Sequence, residues 1–259
     1  MSRSPEQGER RRRELIRMLS RGHGVATAEV ARRFRVDPMT IRRDLKALEE
    51  SGLVVRRYGG AVAAQRISLE FSFDRGHQRH LNEKRRIGHA AAEQVEPGQT
   101  VFLDTGTTTL EVARALAQRA VVCRVVTGSL VIAGQLWGRE EIELLLLGGQ
   151  ARRGSPDLVG AATELMLERL TADLGFLGAD GIVPGRGCFA QDVEAARVAE
   201  RMAASARRVV VVADHSKLGR AGGARYLKTD GMHELITDRG ADKAVVAALR
   251  RRGVKVTLV

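Results

Sequence analysis

Val36-Asp-Pro-Met-Thr-Ile-Arg-Arg-Asp-Leu45, with Arg56-Arg-Tyr-Gly-Gly-Ala61 close behind it, is the stretch that decides the N-terminal fold. Ile41, Leu45 and Leu48 recur at i, i+4 and i+7, so a helix buries them along one side. At about 100° per residue, Met39, Arg43 and Lys46 then point the other way, flanked by Thr40 and Arg42. An apolar stripe backed by a short cationic face is what a helix entering the DNA major groove requires. Asp37 caps this helix and Pro38 takes its first position, where a missing amide proton costs nothing. Ser51-Gly52 ends it.

The surroundings agree with that helix. Upstream, a helix over about residues 9–20 turns Leu15, Ile16 and Leu19 inward, and Gly22-His-Gly24 breaks it. Thr27 reads as the N-cap of a second helix, with Glu29 in its first turn and Val30, Ala31 and Phe34 on its buried side. Downstream, Leu53–Tyr58 is expected as a strand, Gly59-Gly60 as a turn and Ala61–Ala64 as the return strand. Three helices and a basic hairpin make a winged helix-turn-helix over residues 9–64.

Charge is concentrated in this part of the chain. Residues 1–66 carry 16 Lys and Arg against 8 Asp and Glu, while the other 193 residues carry 27 against 23. Most of the net +12 therefore lies in a quarter of the 259 residues, as expected of a nucleic-acid-binding end. Cys123 and Cys188 are isolated thiols with no metal or disulfide pattern, which suits a reducing cytoplasm. Met1 to Arg13 has no apolar signal core, and no run approaches the roughly 18 apolar residues of a membrane span, so a cytoplasmic protein is expected.

Residues 65–82 have weak periodicity and read as a connector, with a strand expected near Leu69–Phe73. From Glu83 to Val259, apolar runs at 100–103, 121–126, 142–147, 174–177, 209–213, 234–237 and 254–259 alternate with helical stretches. That alternation predicts an α/β domain over 83–259 with a mostly parallel, doubly covered sheet.

Taken together, these blocks resemble the DeoR family of bacterial transcriptional regulators, over roughly Arg10 to Val259. Thr40-Ile-Arg-Arg-Asp-Leu45 resembles the family's recognition helix and Arg56-Arg-Tyr-Gly-Gly-Ala61 its wing. Glu83-Lys84 with Ile87, Asp104-Thr-Gly-Thr-Thr108, Val126-Thr127 with Ser129, and Leu147-Gly-Gly149 resemble later blocks in order. Gly178-Ala-Asp-Gly-Ile182 and Ala213-Asp-His-Ser-Lys-Leu218 continue the series. The resemblance implies a sensor domain folded like sugar-phosphate isomerases, and a repressor of a carbohydrate operon released by a phosphorylated sugar or a related metabolite. Three positions depart from the family pattern: Gly128 stands for an Asn, Ala199 for a Lys, and Tyr58 for a His.

Candidate sites follow. For double-stranded operator DNA they are Met39, Thr40, Arg42, Arg43 and Lys46, with Arg43 central for base reading and Arg56 and Arg57 on phosphate. For the effector, Gly106, Thr107 and Thr108 open a helix whose N-terminal amides and dipole suit a phosphate. Thr127 with Ser129, and Gly148 with Gly149, end neighbouring strands in the same way, and Lys217 offers a cation. Asp104 and Asp180 accept sugar hydroxyls or tie down loop backbone, and Thr107 and Thr108 equally fit plain helix capping. Carboxylates in such a pocket keep open an alternative, a sugar-phosphate isomerase-like enzyme fused to a DNA-binding module; a constitutive DNA binder with a decayed pocket is a third. No cofactor, metal or catalytic residue is expected, and His77 and His80 at i, i+3 read as solvated. Helix-turn-helix proteins pair across repeated half-sites, so a homo-oligomer, dimer or tetramer, is expected.

Overall fold

A computed structural model describes residues 5–19, 24–50, 54–57, 59–63, 79–152 and 155–259. The chain divides into two compact units at Arg75 and Gly76. In the first, helices α1 (Pro5–Leu19), α2 (Thr27–Phe34) and α3 (Pro38–Glu50) accompany strands β1 (Val25–Ala26), β2 (Val54–Arg57) and β3 (Gly60–Ala63). Leu15, Val30, Ile41, Leu45 and Val54 meet in its core. The strands form an antiparallel sheet in the order β1-β3-β2, with Val55 opposite Val62 and Val25 opposite Ala61. At Gly60 a Cβ would lie 2.0 Å from the Val25 carbonyl oxygen, so only glycine lets β1 approach the wing.

Two local expectations change. Thr27 is the first residue of α2, not its cap: Ala26 holds the cap position and no side chain bonds there. The reason is that the Thr27 amide donates to the Gly59 carbonyl at 2.8 Å, so the wing turn satisfies a group that a cap would serve. The strand proposed near Leu69–Phe73 lies outside the described residues.

The second unit is built on a seven-stranded sheet, parallel throughout. Its strands are β4 (Thr100–Leu103), β5 (Cys123–Thr127), β6 (Ile142–Leu146), β9 (Ala172–Leu177), β12 (Ala206–Val212), β14 (Glu234–Thr237) and β15 (Lys255–Leu258). They lie in the order β15-β14-β12-β9-β4-β5-β6. Helix α4 (Leu81–Ala92) precedes them, and α5 (Thr107–Arg119), α6 (Leu130–Leu136), α7 (Ala161–Glu168), α8 (Val193–Ala204) and α9 (Lys243–Arg250) lie between them. Val101, Phe102 and Leu103 on β4 and Val210 to Val212 on β12 are fully buried, which explains why these strands read as unbroken apolar runs. Two antiparallel additions carry no such signal. They are the pair β7 (Gln150–Ala151) with β8 (Leu158–Val159), and the ribbon β10 (Gly181–Val183), β11 (Gly187–Ala190) and β13 (Ala224–Leu227).

The strand order fixes where a ligand can sit. The chain runs outward from β4 through β5 to β6, then returns to place β9 on the other side of β4. At that reversal the connections leave in opposite directions, opening a crevice beyond the carboxyl ends of β4 and β9.

Candidate functional site

On α3, the Met39 amide donates to Asp37 Oδ1 at 2.7 Å, so the sequence-read cap is present. Ile41, Leu45 and Leu48 are buried, while Met39, Arg42, Arg43 and Lys46 are exposed and Thr40 is half-buried. Asp44, between the arginines and the apolar stripe, is buried and accepts a charged hydrogen bond from Arg11 of α1, with Arg12 at 4.0 Å. That carboxylate locks α3 against α1 and so aims Arg42 and Arg43 outward. Lys46 reaches Glu50 at 3.8 Å and Arg56 reaches Glu49 at 3.7 Å. Such exposed pairs are worth about 1 kcal/mol or less, so they yield readily to phosphate. The side chain of Arg57 and all of Tyr58 lie outside the described residues.

In the second unit, a cleft of about 130 Å³ opens at the crevice between β4 and β9. The loop after β4 lines it with Asp104 to Thr108, and the loop after β9 with Gly178 to Asp180. Lys217, Arg152, Tyr226 and two alanines of α8, Ala195 and Ala199, complete the walls. Gly106 is the N-cap of α5 and no side chain bonds at that cap, so the first amides of a 13-residue helix are left for whatever enters. Thr109 turns its hydroxyl back to the Gly106 carbonyl at 3.0 Å.

The charges in the cleft are mutually engaged. Arg152 forks onto Asp157 at 3.0 and 2.7 Å and reaches Asp192, the cap of α8, at 3.2 Å. Thr105 donates its hydroxyl to the same Asp157, which is 1% exposed. Lys217 lies 3.6 Å from Asp180, whose other oxygen accepts the Gln191 amide at 2.9 Å. Asp104 accepts the Gly178 amide at 3.0 Å. Burial pushes its carboxyl up to about 7; amide bonds from Thr105 and Gly178 oppose the rise, and the nearby Asp157 and Asp180 add to it. In the wall, Tyr226 donates to the Gly178 carbonyl, and behind it burial raises the Cys188 thiol to about 12, leaving it inert.

Of the sequence-read effector residues, Asp104, Gly106, Thr107, Thr108, Asp180 and Lys217 come together here. Thr127, Ser129, Gly148 and Gly149 do not line the cleft. Thr127 ends β5, Ser129 follows it, and Gly148 and Gly149 follow β6. Ser129 caps α6 through the Ile132 amide, and Thr127 accepts the Ser129 amide. The Gly148 carbonyl accepts the Thr163 hydroxyl, and at Gly149 (φ +152°) a Cβ would sit 2.1 Å from that hydroxyl. These four hold the α6 and α7 ends of the fold.

Arg152, Tyr226 and Ala195 were not singled out from the sequence. Two of the three departures from the family pattern separate as well. Ala199 lines the cleft, whereas Gly128 lies against β8, where a Cβ would stand 3.2 Å from the Leu158 carbonyl oxygen.

Comparison with known proteins matches residues 79–239 to the DeoR C terminal sensor domain and residues 11–66 to a DeoR-like helix-turn-helix domain. The chain is 35% identical to a putative aga operon transcriptional repressor of Escherichia coli O157:H7, covering 96% of this chain and 93% of that protein. It is 34% identical to the glycerol-3-phosphate regulon repressor of Escherichia coli strain K12, over 80% of this chain and 81% of that protein. Among solved structures, ribose 5-phosphate isomerase A from Methanocaldococcus jannaschii aligns with 54% of this chain and 55% of that one, at 19% identity and a TM-score of 0.41. Among the described residues no helix is long and apolar enough to cross a membrane. With both the recognition helix and the sensor sheet matched along nearly the full chain, the protein belongs to the DeoR family of helix-turn-helix transcriptional regulators.

Proposed function

We propose that the protein represses a carbohydrate-related operon and releases its DNA when a small phosphorylated sugar or polyol fills the cleft between β4 and β9. One observation carries this: the uncapped N-terminus of α5 opens into the same small space as two cations and two carboxylates. The phosphate takes the amides of Thr107 and Thr108, and Lys217 leaves Asp180 to join it. Asp180 and Asp104 then accept or exchange hydrogen bonds with hydroxyls. The relatives named as the aga operon and glycerol-3-phosphate regulon repressors support the same ligand class.

Arg43 reads a base from the exposed face of α3, Met39, Thr40, Arg42 and Lys46 flank it, and Arg56 and Arg57 hold phosphate from the wing. The protein acts as a homo-oligomer through its sensor unit; exposed Leu146 on the edge strand β6 and exposed Leu165 on α7 support this. An effector shifts the population of DNA-binding arrangements only as far as its affinity differs between them. Turnover is no part of this function. Both carboxylates that would serve as a general base accept a backbone amide, Asp104 from Gly178 and Asp180 from Gln191.

The test is binding of the purified protein to its own upstream intergenic DNA at fixed salt, with and without a panel of phosphorylated sugars and polyols. One compound is expected to release a sequence-specific complex, and Thr107→Ala is expected to blunt that release while leaving DNA affinity intact. Specific binding that no compound alters, or conversion of any compound to an isomer, overturns the proposal.

A further inference from the structure

A cluster outside the cleft has no part in the function above. His80, at the N-cap of α4, and His215, in the turn after β12, bring their rings together edge to face with centroids 4.6 Å apart. Asp214, 1% exposed, lies beneath them. One nitrogen from each histidine and one Asp214 oxygen fall within 4.8 Å of one another. His80 is the exposed member and His215 the half-buried one.

Each component is oriented from outside the trio. His215 Nδ1 is held by Asp238 Oδ2 at 2.9 Å, and its backbone amide by Asp238 Oδ1 at 2.7 Å, which leaves Nε2 as the free ring nitrogen. A carboxylate on the far ring nitrogen is the arrangement that fixes tautomer and direction in metal-binding histidines. Asp214 Oδ1 is occupied by the amide and hydroxyl of Ser216, so Oδ2 is its other acceptor. His80 adopts φ 54°, a conformation uncommon for a side-chain-bearing residue, and thereby starts α4 with its ring beside His215.

We propose that His80, Asp214 and His215 bind a first-row transition-metal dication of the zinc class, with Asp238 as the positioning residue for His215. Two imidazoles and one carboxylate give three of the four positions of a tetrahedral site, leaving the fourth to water. The donor set selects against magnesium and calcium, which need more oxygens. Local charge argues the same way: Lys84 of α4 faces Asp214, donates to the Arg79 carbonyl at 2.7 Å, and has Lys217 nearby, so imidazole coordination rather than negative potential must hold the ion. Bound metal would fasten the start of α4 to the turn that carries Lys217. This site is independent of the effector proposal.

The experiment uses full-length protein stripped with a chelator, then titrated with zinc chloride in competition with a chromogenic chelator. Cobalt chloride is the spectroscopic probe. The wild type is expected to take one equivalent and to show the intense visible bands of tetrahedral cobalt. His80→Asn keeps the left-handed backbone accessible and removes the ligand, so it should weaken zinc at least tenfold and bleach the cobalt bands. Asp238→Asn should weaken zinc by about 10–100-fold. Zinc should raise the melting temperature of the wild type and not of His80→Asn. No binding at micromolar zinc, or binding unchanged in His80→Asn, overturns the proposal; the second outcome would place the metal on other residues.

Discussion

Arg42 and Arg43 stand exposed on α3, whereas the charges around the cleft of the second unit are paired with one another, with Asp104 and Asp157 buried. Asp157 is 1% exposed and grips Arg152 with two hydrogen bonds, and Asp104 is buried far enough to be half-protonated near neutrality. The contrast follows from what each partner brings. DNA arrives as a dense polyanion and displaces weak surface pairs, so its contacts can wait in solvent. A small anion has little charge to offer, so its site must be organised beforehand by groups that already hold one another in place. Substitutions of the exposed side chains on α3 should therefore change binding without changing stability, and substitutions around the cleft should change both.

The sharpest way to break that contrast is Asp157→Asn. It leaves the Arg152 guanidinium, 22% exposed, without its forked partner, and leaves Thr105 with a weaker acceptor. Removing one partner of a buried pair costs about 3–5 kcal/mol, and the partial exposure of Arg152 puts the expected loss near the lower end. Calorimetry should show the sensor transition falling by about 10 °C. A loss below about 1 kcal/mol would mean that the cleft is not held together by its charges.

A smaller effect separates two neighbours in sequence. Arg43→Ala should weaken operator binding by about 5- to 150-fold at fixed salt, the equivalent of about 1–3 kcal/mol for a bidentate base contact, with melting unchanged. Asp44→Ala should destabilise the N-terminal unit by about 1.5–3 kcal/mol, because it removes the charged hydrogen bond between α3 and α1. Undiminished DNA affinity in Arg43→Ala would refute the assigned face. Equal destabilisation by both would refute the division between exposed and packed charge.

Most of the fold was legible because its elements announce themselves locally. The 3.6-residue stripe of Ile41, Leu45 and Leu48, the Asp37 cap, and the unbroken apolar strands Val101–Leu103 and Val209–Val212 each follow from nearest neighbours in the chain. The short ribbons β7–β8 and β10–β11–β13 were not legible, since a two- to four-residue strand has too little period to detect. The cleft was half legible. Thr107 and Lys217 carry recognisable local chemistry, but which strand ends converge depends on sheet order, and nothing in the sequence near Thr127 or Gly148 reveals that β5 and β6 lie beyond the reversal. Arg152 and Ala199 enter from elements with no motif of their own. His80 and His215 show the same limit: 135 residues apart, they meet only through the fold.

The smallest predicted effect tests how deeply the cleft is withdrawn from solvent. Asp104 has its carboxyl raised to about 7 in the fold, against an ordinary value of 3.8. Between those values the folded state binds the extra proton, so stability must fall as pH rises and the carboxylate is forced to ionise in a buried place. The contribution is fully present below pH 3.8 and lost through the window up to about 7. Between pH 6 and 7 the expected decline is about 1 kcal/mol, since one pKa unit corresponds to about 1.4 kcal/mol. Other groups titrate in the same range, so the informative quantity is the difference between wild type and Asp104→Asn, which carries no titrating group there and should be flatter by that amount. Denaturant midpoints measured at half-unit steps would show it. Parallel pH profiles for the two proteins would mean that water reaches Asp104 freely, and the contrast between a solvated DNA face and a withdrawn cleft would then rest on Asp157 and Arg152 alone.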